Sequence, residues 1–216
     1  MLRLYHCADS RSLRCLWAIQ EMGLECDVKV MPFPPRTQAP DYLRINPQGT
    51  VPALVDGSLV MTESVAILQY LVTRYGPTPL AVSPDEEDYG AWLDWLHYGE
   101  TTLTAPQTVV IRYRHARDEK FRLPQVEEDY SAIFLERLKR VEDALAGHDY
   151  LCSDRFTIAD ISVGYALDVA NYIGLTERIP SVVKDYIDRL RLRTGYRAAR
   201  RIQAKLSGGQ PAVASC

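Results

Sequence analysis

The stretch Asn46–Ser64 holds the residues whose types and spacing are best suited to binding a ligand. Val51 precedes Pro52, and because proline cannot donate to a strand ladder, the backbone of Val51 is left free to pair with something else. Glu63 and Ser64 precede an apolar pattern with helical spacing, so they fall in a first turn whose amides lack partners within the helix. Such a turn attracts a carboxylate. The stretch therefore predicts a carboxylate site at Ser64 and a free main-chain edge at Val51.

A hairpin and a helix must position these groups. The apolar runs Ala53–Val55 and Leu59–Met61 flank Asp56-Gly57, a dipeptide that supplies the positive φ angles of a tight turn, so they predict a β-hairpin. The helix after it is indicated by apolar residues at helical spacing, namely Val65, Ile67, Leu68 and Leu71.

This stretch resembles the N-terminal domain of the glutathione transferase family, which carries Asn-Pro-x-Gly-x-Val-Pro, a hairpin, and Glu/Gln-Ser at a helix start. Here those residues are Asn46-Pro47-Gln48-Gly49-Thr50-Val51-Pro52 and Glu63-Ser64, in the same order and spacing. The resemblance extends over nearly the whole length. Another motif, Ser10-Arg11-x-x-Arg14-x-x-Trp17, resembles a bacterial and fungal branch of the family.

The resemblance implies a defined set of contacts for glutathione as the co-substrate. The backbone of Val51, before a cis Pro52, would pair with the cysteinyl group, and Glu63 and Ser64 would hold the γ-glutamyl amine and carboxylate. For the glycyl carboxylate and its surroundings, the resemblance implies polar side chains: Gln38 or its neighbour Thr37, assisted by Thr50.

The implied reaction requires the glutathione thiolate, because the thiol is a poor nucleophile. A hydroxyl at the start of the first helix can stabilise the thiolate without a general base. Where serine-type members carry their serine, this chain has Asp9, whose carboxylate would repel a thiolate, so we favour Ser10 as the donor. A plain helix N-cap is the alternative role of Ser10. Tyr5, which ends the first strand where other classes carry a tyrosine, is the second candidate, and Ser12 is the third.

Cys7 is a candidate for a different, redox mechanism. The segment Cys7-Ala8-Asp9-Ser10 has the Cys-x-x-Ser spacing of monothiol glutaredoxins, whose cysteine forms a mixed disulfide with glutathione. However, Cys7 lies two residues before the usual nucleophile position of the family. We therefore interpret it as a small buried thiol and keep the redox mechanism as an alternative.

The second, apolar substrate is expected between the two domains, against a helix rich in aromatic residues. The expected contacts are Trp95, Tyr98, Thr102 and Tyr113, with Tyr165 as a further candidate. Aromatic residues at helical spacing equally fit a packed core. Arg11 and Arg14 could favour a thiolate by their charge, but we interpret them as solvated helix positions or as partners of carboxylates at a subunit interface.

The order of elements predicts two domains. Residues 1–76 give a strand, a helix and a strand, then the hairpin and a helix, and this βαβ-ββα order predicts an α/β domain of thioredoxin-like layout. Residues 77–84 change composition abruptly and predict a linker. Residues 85–206 show only helical patterns, including a capping box at Thr157-x-x-Asp160, and predict an all-α helical bundle. Residues 207–216 are predicted to be a disordered tail.

Composition excludes several classes of function. A net charge of −3 gives no electrostatic reason to expect nucleic acid or an anionic membrane as a partner. Since no apolar run is long enough for a membrane helix and no secretory signal is evident, we expect a cytoplasmic location. The five cysteines are scattered and odd in number, and the four histidines lack metal-site spacing, so reduced thiols and no metal are expected.

Together these observations predict a glutathione transferase, a homodimer as is usual in the family, that stabilises the glutathione thiolate for attack on a small hydrophobic electrophile in detoxification. Three alternatives stay open. They are a glutathione-dependent disulfide reductase or lyase that uses Cys7, a glutathione-dependent isomerase or dehalogenase, and a non-catalytic module that binds glutathione or another ligand.

Overall fold

The computed structural model describes residues 1–115 and 118–206, and its contacts divide the chain into two compact units. The first unit comprises Met1–Thr78 together with the chain from Leu192, and the second comprises Pro79–Arg191. In chain order the helices are α1 (Ser12–Glu21), α2 (Pro35–Gln38), α3 (Ser64–Arg74), α4 (Tyr89–His97), α5 (Ala105–Arg114), α6 (Pro124–Ala144), α7 (Ile158–Tyr172), α8 (Ser181–Leu192) and α9 (Thr194–Leu206). The predicted tail, 207–216, lies outside the described residues.

A four-stranded mixed sheet is the centre of the first unit, with the strand order β2-β1-β3-β4. Its strands are β1 (Leu2–His6), β2 (Cys26–Val30), β3 (Ala53–Asp56) and β4 (Leu59–Met61). β1 pairs in parallel with β2 and antiparallel with β3, while β3 and β4 form the predicted hairpin. Gly57 has φ +60° in the hairpin turn, a conformation that glycine adopts without strain. The thioredoxin-like α/β layout is confirmed.

The helix α9 belongs to the first unit, whereas the sequence placed it in the C-terminal bundle of residues 85–206. It packs against α1, where Arg193 pairs with Glu21 at 2.9 Å and the ring of Tyr196 meets the ring of Trp17 edge-on. Because α1 also packs against α3, its residues from Ser12 to Ile19 are all buried. These contacts group α9 with the first unit, although it follows the second unit in the chain.

The second unit is all helical, as predicted. The helices α4 and α5 join through a π-helical segment, Tyr98–Thr104, and Gly99 in this segment lets α7 approach, since a Cβ there would lie 2.4 Å from Ser162 Oγ. The predicted linker 77–84 is partly packed: Leu80 is buried, and its carbonyl accepts a hydrogen bond from Ile158 N at 3.0 Å. Among the helices that the structure describes, none is long and apolar enough to cross a membrane.

Candidate active site

The turn between β1 and α1 carries the favoured thiolate donor. Asp9 has φ +56° there, a left-handed conformation that aspartate tolerates better than most residues. Ser10 follows and is half-buried; its Oγ donates to Cys7 O at 2.9 Å and accepts from Ser12 N at 3.3 Å. The hydroxyl proposed as a donor therefore also holds the backbone at the start of α1.

Ser12 connects Ser10 to His6, a residue that the sequence analysis left unassigned. Its Oγ lies 2.7 Å from Ser10 Oγ and 2.7 Å from His6 Nδ1, and both Ser12 and His6 are fully buried. Burial lowers the pKa of His6 to about 4, because the charged ring would lose its hydration. The ring is therefore neutral near physiological pH. A spacing pattern could not have revealed this contact, because the irregular turn brings the two side chains together.

Cys7 has the environment of an inert thiol. Its Sγ is buried 3.2 Å from Met31 O, and burial raises the pKa of the thiol to about 12. A reactive cysteine needs a lowered pKa and an accessible sulfur, so the geometry favours the packing role for Cys7. The other cysteines that the structure describes are also free. In residues 1–115 and 118–206, no three His, Cys, Asp or Glu side chains cluster so as to hold a metal ion.

The carboxylate of Asp9 is paired with α9. Arg200 Nη1 lies 2.5 Å from Asp9 Oδ1, and Gln203 Nε2 donates to the same oxygen at 2.9 Å. The backbone N–H of Asp9 donates in turn to Gln203 Oε1 at 3.0 Å. The repulsion that the sequence analysis assigned to this carboxylate is therefore offset by a guanidinium, and α9 fixes the turn before Ser10.

Val51 stands outside the strand ladder, since β3 begins only at Ala53. The Val51–Pro52 peptide is cis, as the resemblance implied. Val51 itself is half-buried. Its main chain is thus placed at the entrance of a sheet strand, where the sequence analysis expected an extended ligand to pair.

The loop before Val51 is held by its own hydrogen bonds. Tyr42 Oη donates to Thr50 O at 2.6 Å, and Asn46 Nδ2 donates to the same oxygen at 2.8 Å. Gly49 has φ +63°, and a Cβ there would lie only 2.4 Å from Arg36 Cβ. The Asn-Pro-x-Gly motif thus fixes the loop that leads to Val51.

Ser64 begins α3 and is 3% exposed, whereas Glu63 before it is exposed to solvent. Arg14 Nη1 donates to Ser64 Oγ at 3.2 Å from a fully buried position in α1. For Arg14, the expectation of a solvated or interface position was therefore wrong. The reason is that α1 is covered on all sides, so a position that looks polar in sequence lies in the interior beside the first turn of α3.

The remaining glutathione candidates lie in the first unit at several places. Gln38 is exposed at the end of α2, and its Nε2 donates to Phe33 O at 2.6 Å. Thr37 is also exposed, and its Oγ1 donates to Pro34 O. The other two candidates differ in setting: the Thr50 side chain is exposed, and the ring of Tyr5 on β1 packs 5.1 Å from the ring of Tyr42. The prolines before α2 start a short helix, which the sequence analysis did not predict.

The four residues expected to contact the second substrate all lie in the second unit. Trp95 is buried under the guanidinium of Arg140, 4.4 Å from its ring centroid, and Tyr98 Oη donates to Arg137 O at 2.9 Å. The carbonyl of Thr102 accepts from Arg137 Nη1 at 2.9 Å. Packing against α6 therefore engages three members of the set, while Tyr113 is half-buried on α5.

Known proteins share both halves of the sequence. The family models "Glutathione S-transferase, N-terminal domain" and "Glutathione S-transferase, C-terminal domain" match residues 4–79 and 124–202. A probable glutathione S-transferase of Oryza sativa is 33% identical over 159 residues, which cover 69% of this chain and 71% of the relative. Glutathione S-transferase 3 of Schizosaccharomyces pombe is 27% identical over 196 residues, or 82% and 78% of the two chains.

Solved structures share the fold. A glutathione transferase from Methylococcus capsulatus aligns with a TM-score of 0.82 at 23% identity, over 95% of this chain and 100% of that one. The transferase URE2P6 from Phanerochaete chrysosporium, solved with oxidized glutathione, gives a TM-score of 0.82 at 24% identity, over 95% and 97%. From the two family matches and the relative in Oryza sativa, we conclude that the chain belongs to the glutathione S-transferase family and is a glutathione transferase.

Proposed function

We propose that the chain binds glutathione in its first unit and transfers the glutathionyl group to a small hydrophobic electrophile. The observation that carries this proposal is the Ser10 hydroxyl, which stands half-buried at the start of α1 and has a proton that it donates to Cys7 O in the structure and could donate to a thiolate instead. The γ-glutamyl carboxylate would lie at Ser64, with the positive charge of Arg14 behind it. The cysteinyl backbone would pair with Val51.

The free energies involved are compatible with one hydroxyl donor. Lowering the thiol pKa from about 8.5 by about 2 units requires roughly 2.7 kcal/mol of preferential thiolate stabilisation. A hydrogen bond to a charged group supplies about 1.5–3 kcal/mol, and a helix N-terminus about 0.3–1 kcal/mol. Ser10 and the ten-residue helix α1 therefore suffice without a general base.

The other contacts are assigned by the same resemblance. Glu63 would hold the γ-glutamyl amine, and Gln38 or Thr37, with Thr50, would meet the glycyl end. Tyr5 is the second candidate for the thiolate contact. The electrophile would meet Tyr113 and the aromatic set around Trp95, Tyr98 and Thr102. Within this set Tyr113 is the best position for mutagenesis, because Trp95 and Tyr98 already pack against α6.

Several finer points rest on the family resemblance. The Ser-Arg-x-x-Arg-x-x-Trp motif favours the bacterial and fungal branch. A homodimer, a cytoplasmic location and a role in detoxification stay predictions. A reductase mechanism through Cys7 is disfavoured by its buried thiol. A substrate panel of aromatic halides, epoxides, hydroperoxides and haloalkanes separates conjugation from isomerase, dehalogenase and binding-only roles.

The apparent pKa of the thiol in the glutathione complex tests the proposal. It is measured by the ultraviolet absorbance of the thiolate in a pH titration. We expect a value well below the free value of about 8.5, and Ser10→Ala should raise it toward that value. Ser58→Ala, at the exposed turn between β3 and β4, is the matched control. An unchanged thiol pKa in Ser10→Ala would remove Ser10 from the mechanism.

A further inference from the structure

Three side chains form a hydrogen-bonded row that ends at the proposed thiolate donor. His6 Nδ1 lies 2.7 Å from Ser12 Oγ, and Ser12 Oγ lies 2.7 Å from Ser10 Oγ. His6 and Ser12 are 0% exposed, whereas Ser10 is half-buried. The row thus runs from the interior of the first unit to the position where the glutathione sulfur is proposed to bind.

The two nitrogens of the His6 ring have different surroundings. Nδ1 faces Ser12, whereas Nε2 is buried, and among the described residues no group meets it as a hydrogen-bond partner of normal geometry. The Gln203 side chain lies beside the ring, and its Oε1 already accepts from the backbone N–H of Asp9 at 3.0 Å. A proton on Nε2 would therefore be a buried donor without an acceptor of normal geometry. The ring proton therefore belongs on Nδ1, from which it donates to Ser12.

The hydroxyl protons then have one consistent arrangement. A serine hydroxyl donates once and accepts twice. Ser12 Oγ accepts from His6 Nδ1 and from Cys7 N at 3.2 Å, so it is left with one proton to donate. Its nearer remaining acceptor is Ser10 Oγ at 2.7 Å, compared with Cys7 O at 3.2 Å. Ser10 Oγ accepts that proton and a bond from Ser12 N at 3.3 Å, so its own proton must point elsewhere.

Under the proposed function, the Ser10 hydroxyl can donate its hydrogen bond to one of two acceptors, Cys7 O or the glutathione thiolate. In the structure it points to Cys7 O at 2.9 Å. A thiolate is a charged acceptor, and hydrogen bonds to charged groups are about twice as strong as those between neutral groups. The Ser10 hydroxyl would therefore donate its hydrogen bond to the thiolate instead of to Cys7 O, provided that Ser12 Oγ does not accept it.

We propose that His6 is a positioning residue for the thiolate: by donating to Ser12 it makes Ser12 donate to Ser10, which directs the single proton of Ser10 toward the sulfur of glutathione. This inference rests on the proposed function. His6 does not accept the thiol proton, which leaves to solvent while Ser10 keeps its own. The charged groups that face the ring are Asp9 and Arg200, which pair with each other. The ring stays neutral, because burial keeps its pKa low.

The experiment compares two substitutions of His6. In His6→Asn an amide N–H can replace Nδ1–H, whereas His6→Phe keeps a ring of similar shape and has no donor. We expect His6→Phe to raise the apparent pKa of bound glutathione by about one unit, a tenfold loss of thiolate below that pKa. His6→Asn should stay near the wild-type value. Affinity for S-methylglutathione, which has no thiol to ionise, should be unchanged in both.

Other variants make the outcome decisive. Ser12→Ala breaks the middle link and should raise the thiol pKa as much as His6→Phe does, so it serves if His6→Phe fails to fold. In the Ser10→Ala background, loss of the His6 donor should cause no further shift. The inference is overturned if Ser12→Ala or a folded His6→Phe keeps the wild-type thiol pKa while Ser10→Ala raises it. If Ser10→Ala itself has no effect, Ser10 is not the thiolate donor and the inference about His6 is overturned with it, whereas loss of glutathione binding in the wild type would overturn the proposed function.

Discussion

Arg14 donates from Nη1 to the Oγ atom of Ser64 over 3.2 Å, although its own side chain is fully buried. A guanidinium stays protonated at any pH that a folded protein experiences. The contact therefore places a permanent positive charge directly behind the first turn of α3. The unpaired amides of that turn and the charge act in the same direction on a carboxylate, so Arg14 would strengthen the carboxylate site that we propose at Ser64.

Replacing Arg14 should weaken glutathione binding more than it changes the chemistry. We expect Arg14→Met to lower glutathione affinity about tenfold, since hydrogen bonds involving charged groups are worth about 1.5–3 kcal/mol. Arg14→Lys should lose less, because it keeps the charge. Titration calorimetry with glutathione measures the effect, and Arg44→Met, at an exposed arginine, is the control. Equal affinity in Arg14→Met and wild type would show that the buried charge does not serve the ligand.

The pairing of Arg200 with Asp9 should protect the thiolate from a nearby negative charge. Arg200→Met leaves the Asp9 carboxylate without its guanidinium, so the thiol pKa of bound glutathione should rise by several tenths of a unit. The double variant Arg200→Met, Asp9→Asn should restore it, because both charges are then gone. The same ultraviolet titration measures all three proteins. If the thiol pKa of the double variant is as high as that of Arg200→Met, the effect of α9 on the thiol does not come from the charge of Arg200.

Hydrophobic periodicity and turn residues predicted strands, helices and turns whose structure is decided by neighbouring residues. The Asp56-Gly57 turn between two apolar runs predicted a hairpin that the structure has. The capping box at Thr157 and Asp160 predicted the start of α7. Each of these signals is local, because the residues that decide the structure are neighbours in the chain.

Contacts between distant segments could not be predicted in the same way. Glu21 is paired with Arg193, and Asp9 with Arg200, although each pair is separated by more than half the chain. These contacts hold α9 against α1 in the first unit. The wrong expectation for Arg14 has the same cause. The elements that cover α1 are distant in the chain, so the sequence of α1 alone does not show that Arg14 is buried. The sequence therefore locates the motifs of the candidate site, but it does not show the support that they receive from remote helices.

The burial of His6 should make stability depend on pH. Its folded pKa is about 4, below the unfolded value of about 6.5, so the unfolded chain binds the proton more tightly. The free energy of unfolding is therefore unaffected by this titration above about pH 6.5. It decreases as the pH falls from 6.5 through 4, by roughly 3 kcal/mol in all. Urea unfolding across this range should therefore show a steeper acid loss in wild type than in His6→Asn.

The comparison with His6→Asn isolates the contribution of His6 to the pH dependence of the unfolding free energy. Burial raises the pKa of Asp160, so that carboxyl contributes the opposite slope, with stability greater at low pH. Because Asp160 is present in both proteins, its contribution cancels in the difference. If the difference in unfolding free energy between wild type and His6→Asn were constant with pH, the ring of His6 would not titrate as its burial requires.

The buried cap of α7 should be among the most sensitive points of the second unit. Asp160 accepts from Thr157 N at 2.8 Å, Leu151 N at 3.2 Å and Tyr186 Oη at 2.7 Å, and all of these contacts are buried. In Asp160→Asn one oxygen becomes an N–H that meets a donor, so we expect a loss of about 2–4 kcal/mol in unfolding free energy.

An exposed cap offers a matched comparison for this prediction. Asp118 caps a 3-10 turn by accepting from Lys120 N at 3.2 Å in an exposed setting, so Asp118→Asn should cost less than about 1 kcal/mol. Tyr186→Phe, which removes one donor and leaves the Asp160 carboxylate less satisfied, should fall between the two. The ranking follows from burial, since water replaces a lost partner only at the exposed cap. Equal losses for Asp160→Asn and Asp118→Asn would contradict the role of burial in holding α7.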